Sequence, residues 1–296
     1  MEREKRSKVK DQSAKQILIF VLWVLILSPV FAVVPHRLIS GTPAITEMLF
    51  ALDLNEQIAG VTTNCNYPPA ALRKPKVGGF FLNLEKVISL KPDLVIMDKD
   101  AQDKDIKKFR HYKLNVYVVN PKTIKGVMKT ILELGKATGK EESSKIIVGS
   151  MEKRIEKVQE RVKNFRPNLM QVLTLWNPGV VKRKALVIVG MDPLVVAGGG
   201  NFINDILNYA GVENVAGQAW TAYPQYSFEK LVSENPQYII IPSNLISRRQ
   251  IESDKRWQSL EAVRTGRILF INADILSRPG PRVVGAIEQI ADFIYH

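Results

Sequence analysis

Residue types that perform acid–base or nucleophilic chemistry are sparse in the loops of this 296-residue chain. None of its three histidines, His36, His111 and His296, lies in a loop that is predicted to line a cleft. The sequence has no G-x-S-x-G motif, and its single cysteine, Cys65, has no neighbouring base. A histidine-rich zinc or manganese site is not supported. We therefore expect no enzymatic activity and no bound cofactor or metal, and we expect Cys65 to pack in the core.

Large apolar side chains are frequent in loops rich in Gly and Pro. Aromatic and Met side chains in such loops suit a large, flat and partly apolar ligand, although some of them could instead cap the core. The two arginines of "SRPGPR" could meet an anionic ligand, cap carbonyl groups or lie on the surface, and these alternatives stay open. The predicted ligand contacts are Asn64, Tyr67, Phe80, Phe81, Met191, Trp220, Tyr223, Arg278 and Arg282.

The stretch "AGGGN" precedes a helical pattern and could cradle a phosphate group. It lacks both the G-x-G-x-x-G and the G-x-x-x-x-G-K patterns of nucleotide-binding loops. A tight strand-to-helix turn is the preferred interpretation of its three glycines.

One helix–turn–strand pattern occurs twice in the chain. "NLEKVISLKPDLVIM" spans 83–97, and "SFEKLVSENPQYIII" spans 227–241. An upstream helix pattern, a Tyr-Pro pair and a downstream strand pattern also recur in the same order, which is typical of an internal duplication. The identical pairs in the quoted stretches are Glu85/Glu229, Lys86/Lys230, Ser89/Ser233, Pro92/Pro236 and Ile96/Ile240.

Each half of the duplication alternates short β-rich apolar runs with helical patterns, in the predicted order strand, helix, strand, helix, strand. This alternation favours an α/β fold with mostly parallel sheets covered by helices. Thr42 and Pro43 have the pattern of a helix cap followed by Pro at the first helical position. The predicted lobes span 33–121 and 167–296. The segment 169–190 is longer than its counterpart in the first half, and no function is assigned to it.

The predicted lobes are joined by a connecting region at 122–166 that contains one long amphipathic helix. Between Gly139 and Phe165 the apolar residues are spaced by three or four, which predicts a single narrow apolar stripe. A rigid helix of this kind restricts how far two lobes can hinge. The stripe consists of Ile147, Met151, Ile155, Val158, Val162 and Phe165.

Glu85 and Glu229 occupy equivalent positions in the first turns of the two repeated helices. An acid in a first turn is favoured by the helix dipole, and that alone accounts for each of them. Two equivalent acids, one in each lobe, could also dock onto two symmetric cations of a homodimeric partner. The helix-dipole interpretation and the docking interpretation both stay open.

The first 32 residues resemble an export signal. Residues 1–16 are basic, and "ILIFVLWVLILSPVFA" carries no charge and ends in Ala32. These features predict a signal peptide at 1–32, with an uncleaved membrane anchor as the alternative. No cysteine lies near Ala32 to accept a lipid, so we expect a periplasmic location. The net charge of +13 comes without a nucleic-acid recognition motif, and we expect no nucleic-acid partner.

Taken together, these motifs resemble the vitamin B12/ferric-siderophore class of periplasmic substrate-binding proteins, from Arg37 to Phe293. The motifs that carry the resemblance are "SGTPAITEMLFALDL", "GVTTNCNYPP", "KVGGFFLNLEKVISLKPDLVI", "DPLVVAGGGNFINDIL", "YPQYSFEKLV" and "RPGPR". The resemblance implies two Rossmann-like lobes joined by one long helix, with the ligand between lobes that close little. It also implies salt bridges from Glu85 and Glu229 to arginines of two permease subunits.

"NCNYPP" and "RPGPR" are most similar to the cobalamin-binding branch, although Asn64-Cys65-Asn66 and Tyr223 replace aromatic positions of that branch. We therefore expect a monomeric receptor that delivers a corrinoid to an ABC permease and its ATPase. The alternative within the class is a receptor for a ferric siderophore or haem. An exported enzyme and a membrane-anchored ligand sensor are more remote alternatives.

Overall fold

The computed structural model describes residues 34–165 and 183–296. The predicted leader and residues 169–182 of the long segment at 169–190 lie outside the described residues. Pro35–His296 is one compact unit. Both lobes belong to this single unit.

The first lobe is built on a parallel sheet with strand order β2-β1-β3-β4, which confirms the predicted parallel α/β arrangement. Short β-branched runs form these strands. Each strand is followed by a helical segment that returns the chain to the end of the sheet at which the parallel strands begin. The strands are β1 (Leu38–Ser40), β2 (Ile58–Val61), β3 (Leu94–Asp98) and β4 (Val116–Val119).

Three helices cover this sheet, and side-chain caps fix where they begin. Thr42 accepts a hydrogen bond from the Ile45 N–H, and Pro43 is the first helical residue, as predicted. Asn83 caps the next helix in the same way. The helices are α1 (Pro43–Ala51), α2 (Leu84–Ser89) and α3 (Lys99–His111), and a 3₁₀ turn spans Pro69–Arg73.

The connecting region folds as a helical hairpin of α4 (Ile124–Ala137) and α5 (Glu141–Asn164). The 24 residues of α5 confirm the predicted long helix, which is roughly 36 Å long at 1.5 Å per residue. Its fully buried stripe begins at Ser144 and Val148, whereas the predicted Ile147 is only partly buried. The stripe shifts because α4 packs closely there: a Cβ atom on its Gly135 would collide with Ser144.

The second lobe has a five-stranded sheet in which β7, β5, β8 and β9 are parallel. The segment "PLVVAG" contains β6, which follows a reversal at Asp192-Pro193 and pairs antiparallel with β5. In the part of the chain that the structure describes, the first lobe has one strand more than the predicted order, the short β2, and the second lobe has two more, the short β6 and β7. The strands are β5 (Arg183–Met191), β6 (Leu194–Val196), β7 (Val212–Asn214), β8 (Tyr238–Pro242) and β9 (Ile268–Ile271).

Six short or medium helices complete the second lobe. Asn201, Ser227, Ser247 and Asn272 cap four of them through their side chains. The helices are α6 (Phe202–Tyr209), α7 (Phe228–Glu234), α8 (Arg248–Ser253), α9 (Glu261–Arg264), α10 (Ala273–Ser277) and α11 (Val283–Ile294), and a 3₁₀ turn spans Trp257–Ser259.

Both sheets divide their side chains between two faces. In β3, Leu94 and Ile96 join a core that is shared by both lobes, whereas Val95 and Met97 face a separate outer cluster. In the second sheet, side chains likewise divide between the shared core and an outer cluster. The long helix α5 contributes Met151, Ile155 and Val158 to the shared core. The lobes are thus held by one continuous apolar core, which fixes the loops that face each other between them.

Candidate functional site

An ion cluster joins the facing loops of the two lobes. Its centre is Glu47 on α1, whose side chain is only 2% exposed. Arg282 donates to both carboxylate oxygens, from Nε to Oε2 at 2.9 Å and from Nη2 to Oε1 at 2.6 Å. Arg278 Nη1 donates to Oε1 at 3.2 Å. Bonds of this kind to an ionised acceptor are the stronger ones in proteins, so this cluster clamps one side of the crevice.

Arg278 and Arg282 have further partners within the protein. Arg278 Nη1 donates to Asn66 Oδ1 at 2.7 Å, and its Nη2 lies 2.8 Å from Asp274 Oδ1. The guanidinium carbon of Arg282 lies 3.8 Å from the centre of the Tyr67 ring. The carboxylate of Glu47 raises the pKa of Arg282. Both arginines are thus engaged by acids of the protein, an arrangement that none of the three sequence interpretations anticipated.

Glu47 is the main site residue that the sequence analysis missed. Every residue of α1 from Ala44 to Leu49 is buried. A single acid within a fully buried helical run, in a chain that also carries the Arg pair of "RPGPR", is the signal that could have identified it. The pairing itself joins residues more than two hundred positions apart, and local patterns do not report contacts at that distance.

A second contact joins the second lobe to the connecting region, and it begins from the residue that is equivalent to Glu47. The repeat aligns "ITE" at 45–47 with "IND" at 203–205, so Asp205 is the counterpart of Glu47. Asp205 Oδ2 accepts a hydrogen bond of 2.7 Å from the backbone N–H of Ile124, the first residue of α4. Asp205 thus adds a carboxylate to the start of α4, beyond the cap that Thr123 supplies.

Cys65 packs in the core, as expected. Its side chain is fully buried, and its sulfur lies 3.1 Å from the hydroxyl oxygens of Thr46 and Thr62. These contacts anchor the loop that carries Asn64 and Tyr67, and so place both residues at the lobe boundary. Arg278 Nη2 also donates to the backbone oxygen of Asn64 at 3.4 Å.

Five of the predicted contacts are aromatic side chains that remain exposed to solvent. Their exposed fractions range from 42% for Tyr67 to 104% for Trp220. Aromatic rings this exposed in a folded chain are typical of surfaces that bind a ligand or a partner. The remaining three are Phe80 at 63%, Phe81 at 65% and Tyr223 at 51%.

The loop that carries Phe80 and Phe81 is fixed from both ends. Gly78 pairs with Leu82 in a short bridge, and the Leu82 N–H donates to the buried Asp105 carboxylate at 2.9 Å. Gly78 has a φ of +138°, which only glycine adopts readily. The two rings pack edge to face, with their centres 5.2 Å apart. The loop therefore presents both rings in a defined arrangement.

The loop that carries Trp220 and Tyr223 packs against the "AGGGN" turn. The Gly198 N–H donates to Ala222 O at 2.9 Å, and a Cβ atom on Gly198 would collide with Thr221 O. These glycines therefore allow close backbone packing, as the preferred interpretation requires. Burial raises the pKa of the Tyr223 hydroxyl, which therefore stays protonated and able to donate a hydrogen bond.

Met191 lies at the end of β5. It is partly buried and packs against the outer core cluster of the second lobe. The structure shows no contact that joins Met191, Phe80 or Phe81 to Trp220 or Tyr223 within the part of the chain that it describes.

Glu85 and Glu229 are both exposed in the first turns of α2 and α7. The backbone N–H of Glu229 and the hydroxyl of Ser227 hold the pKa of Glu229 below its usual range. This residue is therefore ionised at neutral pH and can attract a cation.

Residues 34–165 and 183–296 contain no group of three or more His, Cys, Asp or Glu side chains that could hold a metal ion. An open groove of about 570 Å³ lies between α4, α5 and α6, lined by Met128, Ile155 and Tyr209 among others. None of the predicted ligand contacts lines this groove. Within the described ranges, no helix is both long and apolar enough to cross a bilayer.

The structure has two α/β lobes and one long helix, and exposed aromatic side chains lie in loops of both lobes. The chain belongs to the periplasmic binding protein family, which matches residues 38–275. It is therefore a substrate-binding protein of the class that serves ABC importers. Members of this family are non-enzymatic components of transport.

Two known proteins illustrate the similarity. The chain is 30% identical to the uncharacterized ABC transporter substrate-binding lipoprotein YvrC of Bacillus subtilis over 88% of this chain and 80% of that protein. It is 26% identical to the vitamin B12-binding protein of Vibrio cholerae over 88% of this chain and 89% of that protein.

Solved structures share the fold. A periplasmic vitamin B12 binding protein of Vibrio cholerae superimposes with a TM-score of 0.74 at 23% identity, covering 88% of this chain and 96% of that one. A periplasmic heme binding protein of Pseudomonas aeruginosa gives 0.74 at 22% identity, covering 88% and 93%. At these identities the similarity establishes the two-lobe fold and leaves the ligand open.

Proposed function

We propose that this protein binds a corrinoid such as cobalamin between its lobes and delivers it to an ABC permease and its ATPase. The observation that carries the proposal is the set of five exposed aromatic side chains, three in loops of the first lobe and two in a loop of the second. A corrin ring is large, flat and partly apolar, and aromatic faces bind such rings. The similarity to vitamin B12-binding proteins supports the same ligand.

The charge of the ion cluster favours a corrinoid over a strongly anionic chelate. Arg278 and Arg282 are balanced by Glu47 and Asp274, so the cluster holds two positive and two negative charges. A carboxylate of a ligand would have to displace Glu47 from its buried position. The amide side chains of a corrinoid can bind at the edge of the cluster without breaking an ion pair.

Haem is the second candidate, and Tyr67 is the observation that favours it. Its ring is exposed at the lobe boundary and lies beneath the Arg282 guanidinium. A tyrosine oxygen is one of the ligands that proteins use for haem iron. Haem carries two propionates, however, and the two arginines that could pair with them are already bound to acids.

The delivery step of the proposal assigns Glu85 and Glu229 to docking, one acid for each subunit of a permease dimer. Both are exposed, and they occupy equivalent positions in the two lobes. We propose export to the periplasm as a monomer, through the leader that the sequence predicts at 1–32.

A calorimetric titration with three ligands tests the choice of ligand. We expect cyanocobalamin to bind one to one with a Kd below about 1 μM, which corresponds to roughly −8 kcal/mol. Hemin and a ferric hydroxamate siderophore should bind at least about a hundredfold more weakly, a difference of roughly 3 kcal/mol. Tighter binding of hemin would overturn the corrinoid assignment in favour of the second candidate.

Transport in cells tests the docking acids. A protein with Glu85→Lys and Glu229→Lys should still bind ligand but support little uptake, because two attractive contacts become repulsive. Uptake at the wild-type rate would show that neither acid docks.

A further inference from the structure

The exposed faces of α2 and α7 are more alike than their buried faces. The exposed residues Glu85, Lys86 and Ser89 have identical counterparts in Glu229, Lys230 and Ser233. Each serine hydroxyl also donates to the carbonyl of the preceding lysine, at 2.8 and 2.9 Å. The helices thus agree in sequence and in local geometry on the side that faces solvent.

The residues that pack into the two lobes have changed instead. Leu84 corresponds to Phe228, and Val87 corresponds to Leu231. Packing in the core constrains the size of buried side chains, whereas folding places little constraint on exposed ones. Agreement on the exposed face alone is therefore not explained by folding.

An exposed aliphatic side chain lies beside each acid. Ile88 follows Glu85 by three residues, and Val232 follows Glu229 by three, so each pair shares one face of its helix. Ile88 is 43% exposed and Val232 is 37% exposed. A single exposed aliphatic residue is common, but an exposed β-branched aliphatic residue at the equivalent position of each lobe is not accounted for by chance exposure.

We infer that each lobe docks through a pair of side chains, a carboxylate and the aliphatic residue one turn after it. The partner that fits is a two-fold symmetric protein surface that presents, twice, a basic side chain beside a small apolar pocket. This inference rests on the proposed function and extends it. The permease dimer contacts Glu85 with Ile88 on one lobe and Glu229 with Val232 on the other. The carboxylates orient the encounter, and the aliphatic side chains are desolvated in the complex.

Binding to the permease–ATPase complex for cobalamin uptake of the same organism, held in phospholipid nanodiscs, tests this inference. The full protein with Ile88→Ser and Val232→Ser should bind these nanodiscs at least about tenfold more weakly than wild type. Its affinity for cyanocobalamin and its thermal midpoint should stay at the wild-type values, since both positions are exposed and lie outside the ligand loops.

Matched controls come from exposed aliphatic residues elsewhere. Leu72 is 59% exposed and Ile146 is 72% exposed, and neither lies on α2 or α7. The variant with Leu72→Ser and Ile146→Ser should bind the nanodiscs as wild type does. An equal loss in this control would overturn the inference, because the effect would then not be specific to the docking helices.

The acid pair separates failure of the inference from failure of the proposed function. If Glu85→Lys with Glu229→Lys abolishes binding while the double serine variant binds normally, the aliphatic contacts are wrong and the docking acids stand. If the acid variant binds normally, or wild type does not bind at all, the proposed docking function is itself overturned.

Discussion

The ion cluster of Glu47, which joins the two lobes, and the contact of Asp205, which joins the second lobe to the connecting region, begin from equivalent residues and end in different chemistry. Glu47 on α1 and Asp205 on α6 occupy the same place in the duplicated sequence. Glu47 meets the guanidinium groups of Arg278, at the end of α10, and Arg282, at the start of α11. Asp205 meets a backbone N–H at the start of α4. The duplicated fold places an acid opposite a helix start in both lobes, and the partner side chains decide whether an ion cluster or a helix cap results.

We therefore expect the Glu47 contact to stabilise the protein more than the Asp205 contact does. The Glu47 side is a desolvated ion cluster, and the Asp205 side is one hydrogen bond that supplements an existing cap. Resistance to hinge motion should therefore be concentrated at α1, α10 and α11. Four substitutions test whether the two contacts differ in how much they stabilise the protein, and the largest expected effect comes first.

Replacing Glu47 with Ala should destabilise the protein by about 3 kcal/mol, because two largely buried guanidinium groups would lose their shared counter-charge. Urea unfolding followed by circular dichroism measures the loss. Glu47→Gln should lose nearly as much, since it keeps the shape but not the charge. A loss below about 1 kcal/mol in both variants would place this cluster among ordinary surface pairs.

Replacing Arg282 with Ala should cost about 2 kcal/mol, since Glu47 would keep only Arg278 and the contact over Tyr67 would also disappear. The double variant with Glu47→Ala measures the coupling. We expect a coupling energy of about 1.5 kcal/mol or more from unfolding curves of the four proteins. Strict additivity would show that the two side chains do not interact.

Replacing Asp205 with Ala should cost about 1 kcal/mol, the usual value for a lost helix cap. Asp205→Asn is the matched control, and it should lose only a few tenths because its amide oxygen still accepts from the Ile124 N–H. A loss as large as that of Glu47→Ala would contradict the inequality of the two sides.

Replacing Arg154 with Ala should have the smallest effect, at most about 1 kcal/mol. Arg154 Nε lies 2.8 Å from Glu288 Oε1, where it joins α5 to α11, but its side chain is 43% exposed. Thermal unfolding at low and at high salt should differ little between this variant and wild type. A loss above about 2 kcal/mol would place a second anchor between α5 and α11.

Local patterns were sufficient where the structure depends on neighbouring residues. The spacing of apolar residues predicted α5, Thr42 with Pro43 predicted the start of α1, and the glycines of "AGGGN" predicted a tight turn. The reversal at Asp192-Pro193 was missed because no local pattern distinguishes a strand that pairs antiparallel, as β6 does with β5, from one that pairs parallel.

Contacts between distant segments could not be predicted in the same way. Arg278 and Arg282 were predicted as ligand contacts because of their loop. Their partner Glu47 is in the other lobe, on a helix whose neighbouring residues have the pattern of an ordinary core helix. Asp105 likewise holds the loop of Phe80 and Phe81 from a separate helix. Only the folded chain brings these residues together.

The most direct test of the central claim is a cyanocobalamin titration of wild type, Trp220→Ala and the control Leu72→Ala. Trp220 is a predicted ligand contact that is fully exposed, whereas Leu72 is 59% exposed and is not a predicted ligand contact. The account predicts one-to-one binding to wild type and to Leu72→Ala, and binding about tenfold weaker in Trp220→Ala, as expected for the loss of one stacked aromatic ring. No saturable binding to wild type, or equal affinity in all three proteins, would contradict a corrinoid site between the lobes.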